Sequence, residues 1–388
     1  MEELHKVNHK SVMIIAGEAS GDLHGSFLVR ALKKLDNEIE ICGIGGDKMK
    51  AQGMDLIYHI NKMAFLGFAE VLKHLPFIRR VQKDLLDFVR ENKIKTVVLI
   101  DYPGFNLDFA EKVKACGVKL IYFISPQIWA WGAGRIKKIK KLIDKMLVVF
   151  PFEEELYKKH GVNVEFVGHP LEERLNEYKF LDKEQLIEKF NLDPNKEILL
   201  LMPGSRTHEV EQIFPEILNA AVKIAREFNM QIVVVCSDTI DEEIFARFSD
   251  NFEIKVVKGF AYDLMKYAKF GIIKSGTSTL EAGIFRLPMV IVYKTNYLTY
   301  FIGRQLVKVK NIGLVNIIAG EKIIPEFVQS SMNAESIYNE SAKILSSSTL
   351  YNTIKEKLGI IRERILRPAE EGASEKAARS IYALMNES

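Results

Sequence analysis

Cysteine is scarce: Cys42, Cys116 and Cys236 are the only three in 388 residues. Single and far apart, they give neither a disulfide framework nor a zinc-ligand spacing, and they read as core thiols. Long hydrophobic runs are missing as well. No stretch approaches the roughly 20 apolar residues that cross a bilayer, and the opening Met1 to Lys10 holds no apolar secretory core. A cytoplasmic protein is expected. Charge of one sign is not in excess either, with 54 Lys and Arg against 51 Asp and Glu and a net charge of +3. That balance excludes nucleic-acid binding by the molecule as a whole. There is no G-x-G-x-x-G fingerprint for NAD, no G-x-S-x-G elbow for an acyl-enzyme, and no Asp-x-Asp to hold a metal-bound nucleotide. His208-Glu209-Val210-Glu211-Gln212 starts like a zincin helix but carries Gln212 where the second His must stand. No metal and no cofactor are expected.

What is present is the rhythm of an α/β protein. Hydrophobic residues make up 48% and charged residues 27%, which excludes a disordered or fibrous chain, and the length fits two domains. Short apolar runs alternate with helical patterns. In the first half, Ser11–Ala16, Ile39–Ile44, Thr96–Ile100, Lys119–Ile124, Lys145–Phe150 and Val164–Val167 read as strands. Ile198–Met202, Gln231–Cys236, Ile254–Val257, Phe270–Lys274 and Met289–Tyr293 follow in the second. Near-continuous Val, Ile and Leu with long crossovers is the pattern of buried parallel strands, so two doubly wound sheets are expected. The charged stretch Leu171–Lys196 marks the boundary, giving domains 1–170 and 171–358. Beyond Ala334 the sequence is helical. The segment 359–388 is expected to pack back on the first domain, with a bend or stop at Arg367-Pro368.

Two turns in the second half carry the most information. Pro203-Gly204-Ser205-Arg206 and Ser275-Gly276-Thr277 each follow a strand and open a helix, which presents backbone N–H groups to an anion. Arg206 can pair bidentately with a phosphate, and Glu281, about one turn further on, can accept hydrogen bonds from a ribose diol. Ordinary N-capping explains either turn alone; the pair of them points to a nucleotide diphosphate. In the first half, Gly17-Glu18-Ala19-Ser20-Gly21-Asp22-Leu23-His24-Gly25 is a glycine-rich strand-to-helix turn with three acid or base groups, of which Asp22 also reads as a helix cap. Asp101 ends a strand, and Tyr102-Pro103-Gly104-Phe105-Asn106 behind it reads as a turn with Pro103 and Gly104 in type II positions. A strand-tip carboxylate in an open α/β sheet points to where ligands bind.

A third signal concerns a surface. Phe65, Leu66, Phe68, Leu72 and Leu75 fall within an apolar stretch that follows helical spacing from Met63 to Phe77. Pro76 closes that run beside Arg79, Arg80 and Lys83. A second basic cluster, Arg135, Lys137, Lys138, Lys140, Lys141 and Lys145, follows Trp129 and Trp131. An apolar stripe flanked by cations suits a membrane surface and equally suits a core-packed helix.

In order and spacing, these motifs resemble the lipid-A-disaccharide synthase family from Val12 to about Gln329. The resemblance rests on Gly17 to Asp22, Asp101 to Asn106, Ser125-Pro126-Gln127-Ile128-Trp129-Ala130-Trp131, Phe150-Pro151-Phe152-Glu153, Gly168-His169-Pro170, Pro203 to Arg206, and Ser275-Gly276-Thr277 with Glu281. It implies a GT-B glycosyltransferase, with two Rossmann-like doubly wound domains facing across a cleft. The implied reaction is inverting and metal-independent. It joins UDP-2,3-diacylglucosamine to 2,3-diacylglucosamine 1-phosphate and forms a β-1,6 disaccharide and UDP. Asp101 matches the family's general base, Arg206 its Pro-Gly-Ser-Arg arginine, and Asn316 and Gln329 its late residues near the nucleotide; Glu18 joins Asp101 and Arg206 as a catalytic candidate. The apolar membrane patch falls on Met63 to Leu75 and implies peripheral association with the inner membrane. Homodimers with exchanged C-terminal parts occur in the family. The chain departs from the pattern at Val315, where relatives have proline, which removes one source of loop rigidity. A UDP-sugar epimerase of similar shape and a non-catalytic nucleotide-sugar sensor are the alternatives.

Overall fold

Strands that are apolar on both faces must be covered on both faces, and the chain builds two such sheets with helices on either side. The computed structural model describes residues 10–63, 75–129, 134–249, 252–295, 311–366 and 371–387. It divides into two units, Met1–Asn176 with Leu366–Ser388, and Glu177–Ile365.

In the first unit, seven parallel strands run β1 (Ser11–Ala16), β2 (Glu40–Gly45), β3 (Asp55–His59), β4 (Thr96–Ile100), β5 (Lys119–Phe123), β6 (Lys145–Val148) and β7 (Val164–Phe166). Their order across the sheet is β3-β2-β1-β4-β5-β6-β7. Every residue of β1 and β4 is buried, which is why both read as unbroken apolar runs. Helix Leu75–Glu91 turns Val81, Leu85, Phe88 and Val89 inward at helical spacing. Pro76 lies inside the first described turn of this helix, and the apolar stretch that it is expected to close, residues 64–74, lies outside the described residues. Proline is tolerated in a first turn, where its missing N–H has no intrahelical partner to lose.

The second unit has β8 (Glu197–Met202), β9 (Met230–Cys236), β10 (Ile254–Lys258), β11 (Phe270–Lys274), β12 (Met289–Tyr293) and β13 (Glu326–Val328), in order β10-β9-β8-β11-β12-β13 and parallel throughout. Two helices flank Arg367-Pro368, where the bend or stop is expected. Ser348–Ile365 buries Ile354, Leu358, Ile361 and Ile365 in the second unit, so the chain leaves that unit after residue 365 and not at 359. Ala373–Asn386 returns to the first unit and packs on helix Ala19–Leu35, with the small Ala377 and Ala378 and with Ile381 buried. Glu173 fastens its start, accepting from Ser374 N at 2.7 Å and Ser374 Oγ at 2.6 Å.

Cys42 and Cys236 are buried thiols and Cys116 is half-buried. No helix among the described residues is long and apolar enough to cross a membrane. Phe65, Leu66, Phe68 and Leu72 lie outside the described residues, whereas Leu75 opens the helix Leu75–Glu91.

Candidate active site

Each sheet reverses its winding once, between β1 and β4 in the first unit and between β8 and β11 in the second. Crevices at the carboxyl ends of such strand pairs are where open α/β sheets bind ligands. The residues singled out from sequence leave these four strand ends: Glu18 after β1, Asp101 after β4, Ser205 and Arg206 after β8, and Ser275 to Thr277 after β11.

At the first switch point the expected type II turn does not form. Pro103 is instead at the start of helix Pro103–Lys114, and the left-handed conformations fall on Asp101, with φ 44°, and Tyr102, with φ 47°. Two adjacent non-glycine residues in that region are strained and persist only where the surroundings hold them. Asn106 Nδ2 donates to the carbonyls of Ile100 at 3.2 Å and Asp101 at 2.7 Å, and Tyr122 Oη donates to the Asp101 carbonyl at 2.5 Å. Gly17 completes the corner, since a Cβ there would collide with the Tyr102 ring. The Asp101 carboxyl is thereby held at the carboxyl end of the central strand β4. Burial, then the negative charge of Glu18, pushes it up to about 6, against a smaller opposing effect of the Tyr102 N–H. Such a group is ionised at neutral pH and close to the affinity that suits a general base. Glu18 is exposed at the start of helix Ala19–Leu35 and makes no capping bond there.

The neighbouring candidates have other duties. Asp22 is a cap, though of a distant helix: its carboxylate accepts from Gly46 N at 2.7 Å, Met49 N at 3.0 Å and Lys48 N at 3.2 Å, closing the start of Asp47–Ala51. Burial and the Arg174 charge push His24 down to about 4, which leaves it neutral at pH 7. Glu153 is buried under the Ser125–Trp129 segment, accepting from Ser125 Oγ at 2.8 Å and Trp129 Nε1 at 3.0 Å.

The two turns of the second unit are not equivalent. Gly204, at φ 134°, lets the chain enter helix Thr207–Glu227, but the Ser205 N–H expected to be open is taken by Glu209 Oε2 at 3.2 Å. Glu209 stands at the third helical position, from which a glutamate reaches back over its own helix start. Helix Thr277–Ile284 has no acidic residue in its first turn and no side-chain cap at Gly276, so no carboxylate of its own occupies this helix start. Arg206 is half-exposed, with its guanidinium 3.7 Å from Glu209. Ser275 Oγ donates to the Ile312 carbonyl at 2.9 Å, so the hydroxyl ties the turn to the following loop. Glu281 is oriented by Tyr262 Oη, 2.9 Å from one carboxylate oxygen.

Asn316 is fully buried with all four hydrogen-bonding positions used. It donates to the Ile324 carbonyl at 2.7 Å and Glu326 Oε1 at 2.8 Å, and accepts from the N–H groups of Ile323 and Ile324 at 2.9 Å. Gln329 grips Thr295 at both its N–H, at 2.8 Å, and its carbonyl, at 2.9 Å. Val315 is buried in helix Leu314–Ala319, and Glu326 holds the N–H groups of Ile312 and Gly313 at 2.9 Å, which fixes this loop without a proline. Sequence reasoning missed Glu209 and Lys274, whose side chains meet at 2.9 Å beside the turns. The available signals were a glutamate three residues after Arg206 and a lysine ending an apolar strand.

Residues 12–381 match the family described as lipid-A-disaccharide synthetase. The chain belongs to the lipid-A-disaccharide synthase family. A lipid-A-disaccharide synthase of Geobacter metallireducens is 39% identical over 373 residues, covering 95% of this chain and 96% of that one. Among solved structures, a UDP-GlcNAc 2-epimerase from Neisseria meningitidis bound to UDP-GlcNAc aligns with TM-score 0.65 at 12% identity, over 97% of this chain and all of that one. The Phytolacca americana glycosyltransferase UGT2, complexed with UDP-2-fluoro-glucose and pterostilbene, aligns with TM-score 0.61 at 10% identity and covers 97% and 100% of the two chains. At such identities the structural likeness shows the GT-B fold alone. Family membership makes the chain a glycosyltransferase of lipid A biosynthesis. Among the described residues no three His, Cys, Asp or Glu side chains gather as a metal site requires.

Proposed function

We propose that the chain transfers the sugar of UDP-2,3-diacylglucosamine to the 6-hydroxyl of 2,3-diacylglucosamine 1-phosphate. The products are the β-1,6 disaccharide 1-phosphate and UDP, with inversion at the anomeric carbon and without a metal. The observation that carries this reading is the complementary chemistry of the two switch points. One presents a strained carboxylate tuned to about 6 and the other an uncapped helix start beside Arg206. Asp101 takes the proton of the acceptor hydroxyl as its oxygen bonds to the anomeric carbon. The bond from that carbon to the diphosphate breaks, and its electron pair leaves on a phosphate oxygen. Arg206 and the Thr277 helix start stabilise that charge in the role a metal plays elsewhere. Glu281 receives the ribose hydroxyls. Asn316 and Gln329 act through position, holding the loop beside the nucleotide and not the nucleotide itself. Glu18 tunes Asp101 through its charge.

Both proposed substrates carry acyl chains, so the enzyme meets them at the cytoplasmic face of the inner membrane as a peripheral protein. Phe65, Leu66, Phe68, Leu72 and Leu75 supply the apolar contact, with basic residues around them. Part of that charge is already paired, Lys138 with Glu111 at 2.7 Å and Lys145 with Glu165 at 3.0 Å. The apolar residues therefore carry most of the attachment.

Purified protein incubated with both acylated sugars and EDTA tests the reaction. UDP release only when donor and acceptor are together supports transfer and separates it from epimerisation. Turnover that requires added metal, or none with these substrates, overturns it.

A further inference from the structure

Lys274 is the last residue of β11 and directly precedes Ser275-Gly276-Thr277. Its carbonyl accepts from Ser278 Oγ at 3.2 Å, which makes the strand tip and the first helical turn one corner. The side chain is 18% exposed, and its ammonium lies 2.9 Å from Glu209 Oε1. The Tyr293 ring covers it, 6.0 Å from the nitrogen. Glu209 is more deeply buried, at 9%, and gathers Lys274, the Ser205 N–H and the Arg206 guanidinium around one carboxylate. Burial alone would raise this carboxyl. Lys274 foremost, then the Ser205 N–H and Arg206, outweigh burial and hold it below the ordinary range. A lysine is a long, flexible point charge, and a fixed partner is what keeps its head at one place. An ammonium has three donors, and Glu209 is the one hydrogen-bond acceptor found for it among the described residues.

We propose that Lys274 is a second cation of the diphosphate subsite and that Glu209 is the anchor that keeps it there. This rests on the reading that UDP binds at the β8 and β11 ends. With the nucleotide bound, Lys274 keeps Glu209 on one donor and offers another to an oxygen of the terminal phosphate. As the bond from the anomeric carbon breaks, the electron pair settles on that phosphate. The hydrogen bond from Lys274 strengthens with the growing charge, and no proton leaves the ammonium. The Arg206 side chain is 42% exposed and that of Lys274 18%, so Lys274 is the pre-organised member of the pair.

Calorimetric titration of the full chain with UDP, UMP and uridine tests this, using wild type, Lys274→Met and Lys274→Arg. Lys274→Met is expected to weaken UDP at least tenfold, UMP by much less, and uridine not at all. Lys274→Arg should recover most of the loss, and kcat should fall at least tenfold in Lys274→Met. UDP affinity and kcat within twofold of wild type in Lys274→Met overturn the proposal, as does an equal loss for uridine. If Lys274→Met does not fold because Glu209 loses its ammonium partner, Lys274→Met with Glu209→Gln is compared with Glu209→Gln alone. A tenfold loss of UDP affinity in that comparison supports the proposal, and a loss under twofold overturns it. Wild-type protein that binds no UDP overturns the nucleotide site itself; wild type that binds UDP beside an unaltered Lys274→Met refutes Lys274 alone.

Discussion

Replacing Asp101 by Asn should make the protein inactive and more stable at once. The carboxyl is pushed from an ordinary 3.8 up to about 6, by burial first and then by Glu18. A tenfold change in proton affinity is worth about 1.4 kcal/mol, and the rise spans about two such decades. Keeping the ionised carboxylate in the folded chain therefore costs on the order of 2–3 kcal/mol at neutral pH. Between 3.8 and about 6 the folded chain still holds the proton that the unfolded chain has released, so stability falls as pH rises through this window. Above about 6 the loss is complete. Asn carries no charge and tolerates the left-handed backbone at this position, so the variant escapes the cost. The expected gain is about 2–3 kcal/mol at pH 8 and about half of that at pH 5, while turnover drops roughly 10²–10⁴-fold. The chain has two tryptophans, and Trp129 lies in the first unit with Asp101, so urea unfolding followed by tryptophan fluorescence reads the right part of the molecule. In wild type, kcat/KM should fall tenfold per pH unit below about 6, and Glu18→Gln should move that break to lower pH. An equal gain at both pH values would assign the effect to backbone strain instead of charge. No gain at pH 8 would remove the argument for a tuned base altogether.

Arg206→Ala should weaken UDP by about 1.5–3 kcal/mol in calorimetry, the worth of a charge-assisted pair, and Glu281→Ala by less; unchanged affinity in both variants would refute the site. Asn316→Ala strands the Ile323 and Ile324 N–H groups and should cost on the order of 3 kcal/mol in thermal or chemical unfolding, with UDP affinity of the folded fraction little changed. The opposite result, normal stability and lost affinity, would make Asn316 a direct contact. Changing Phe65, Phe68 and Leu72 together to Ser or Gln should release the protein from anionic vesicles at salt concentrations that screen the roughly 1 kcal/mol offered by each surface cation. Vesicle binding that survives in the folded variant would move the contact surface elsewhere, and unfolding would show that the stripe is core.

The central strands were legible because burial on both faces leaves no polar residue to interrupt them: β1 and β4 are buried at every position. The two strands that escaped, β3 and β13, are sheet edges. Asp55-Leu56-Ile57-Tyr58-His59 and Glu326-Phe327-Val328 are only partly covered, so their composition is mixed and their apolar signal short. Asp101 could be picked out because a carboxylate at a strand tip is rare in a core pattern. Asp22 reads as a helix cap from the sequence, but which helix it caps could not be told, since Gly46 at that helix start lies 24 residues downstream. The strain at Asp101 and Tyr102 was invisible for a related reason. Pro103-Gly104 fits a turn, and only the grip of Asn106 and Tyr122 decides that the left-handed residues precede the proline.

The turns after β8 and β11 look alike in sequence and differ in structure. Both have glycine before a helix, and from that alone both present N–H groups to an anion. They differ at the third helical position. After Arg206 that position is Glu209, whose carboxylate turns back to the Ser205 N–H; after Gly276 it is Thr279, whose hydroxyl donates to the Gly276 carbonyl at 2.8 Å and brings no charge. An internal carboxylate occupies the first helix start and would compete with a phosphate there, so the proposed diphosphate is assigned to the second. The first turn contributes side chains, Arg206 directly and Glu209 as a counter-charge. Glu209 is balanced by two cations, Arg206 and, at the end of β11, Lys274. Glu209, which stands in a broken metal motif in the sequence, is thus the residue that would sort the charges around the proposed diphosphate.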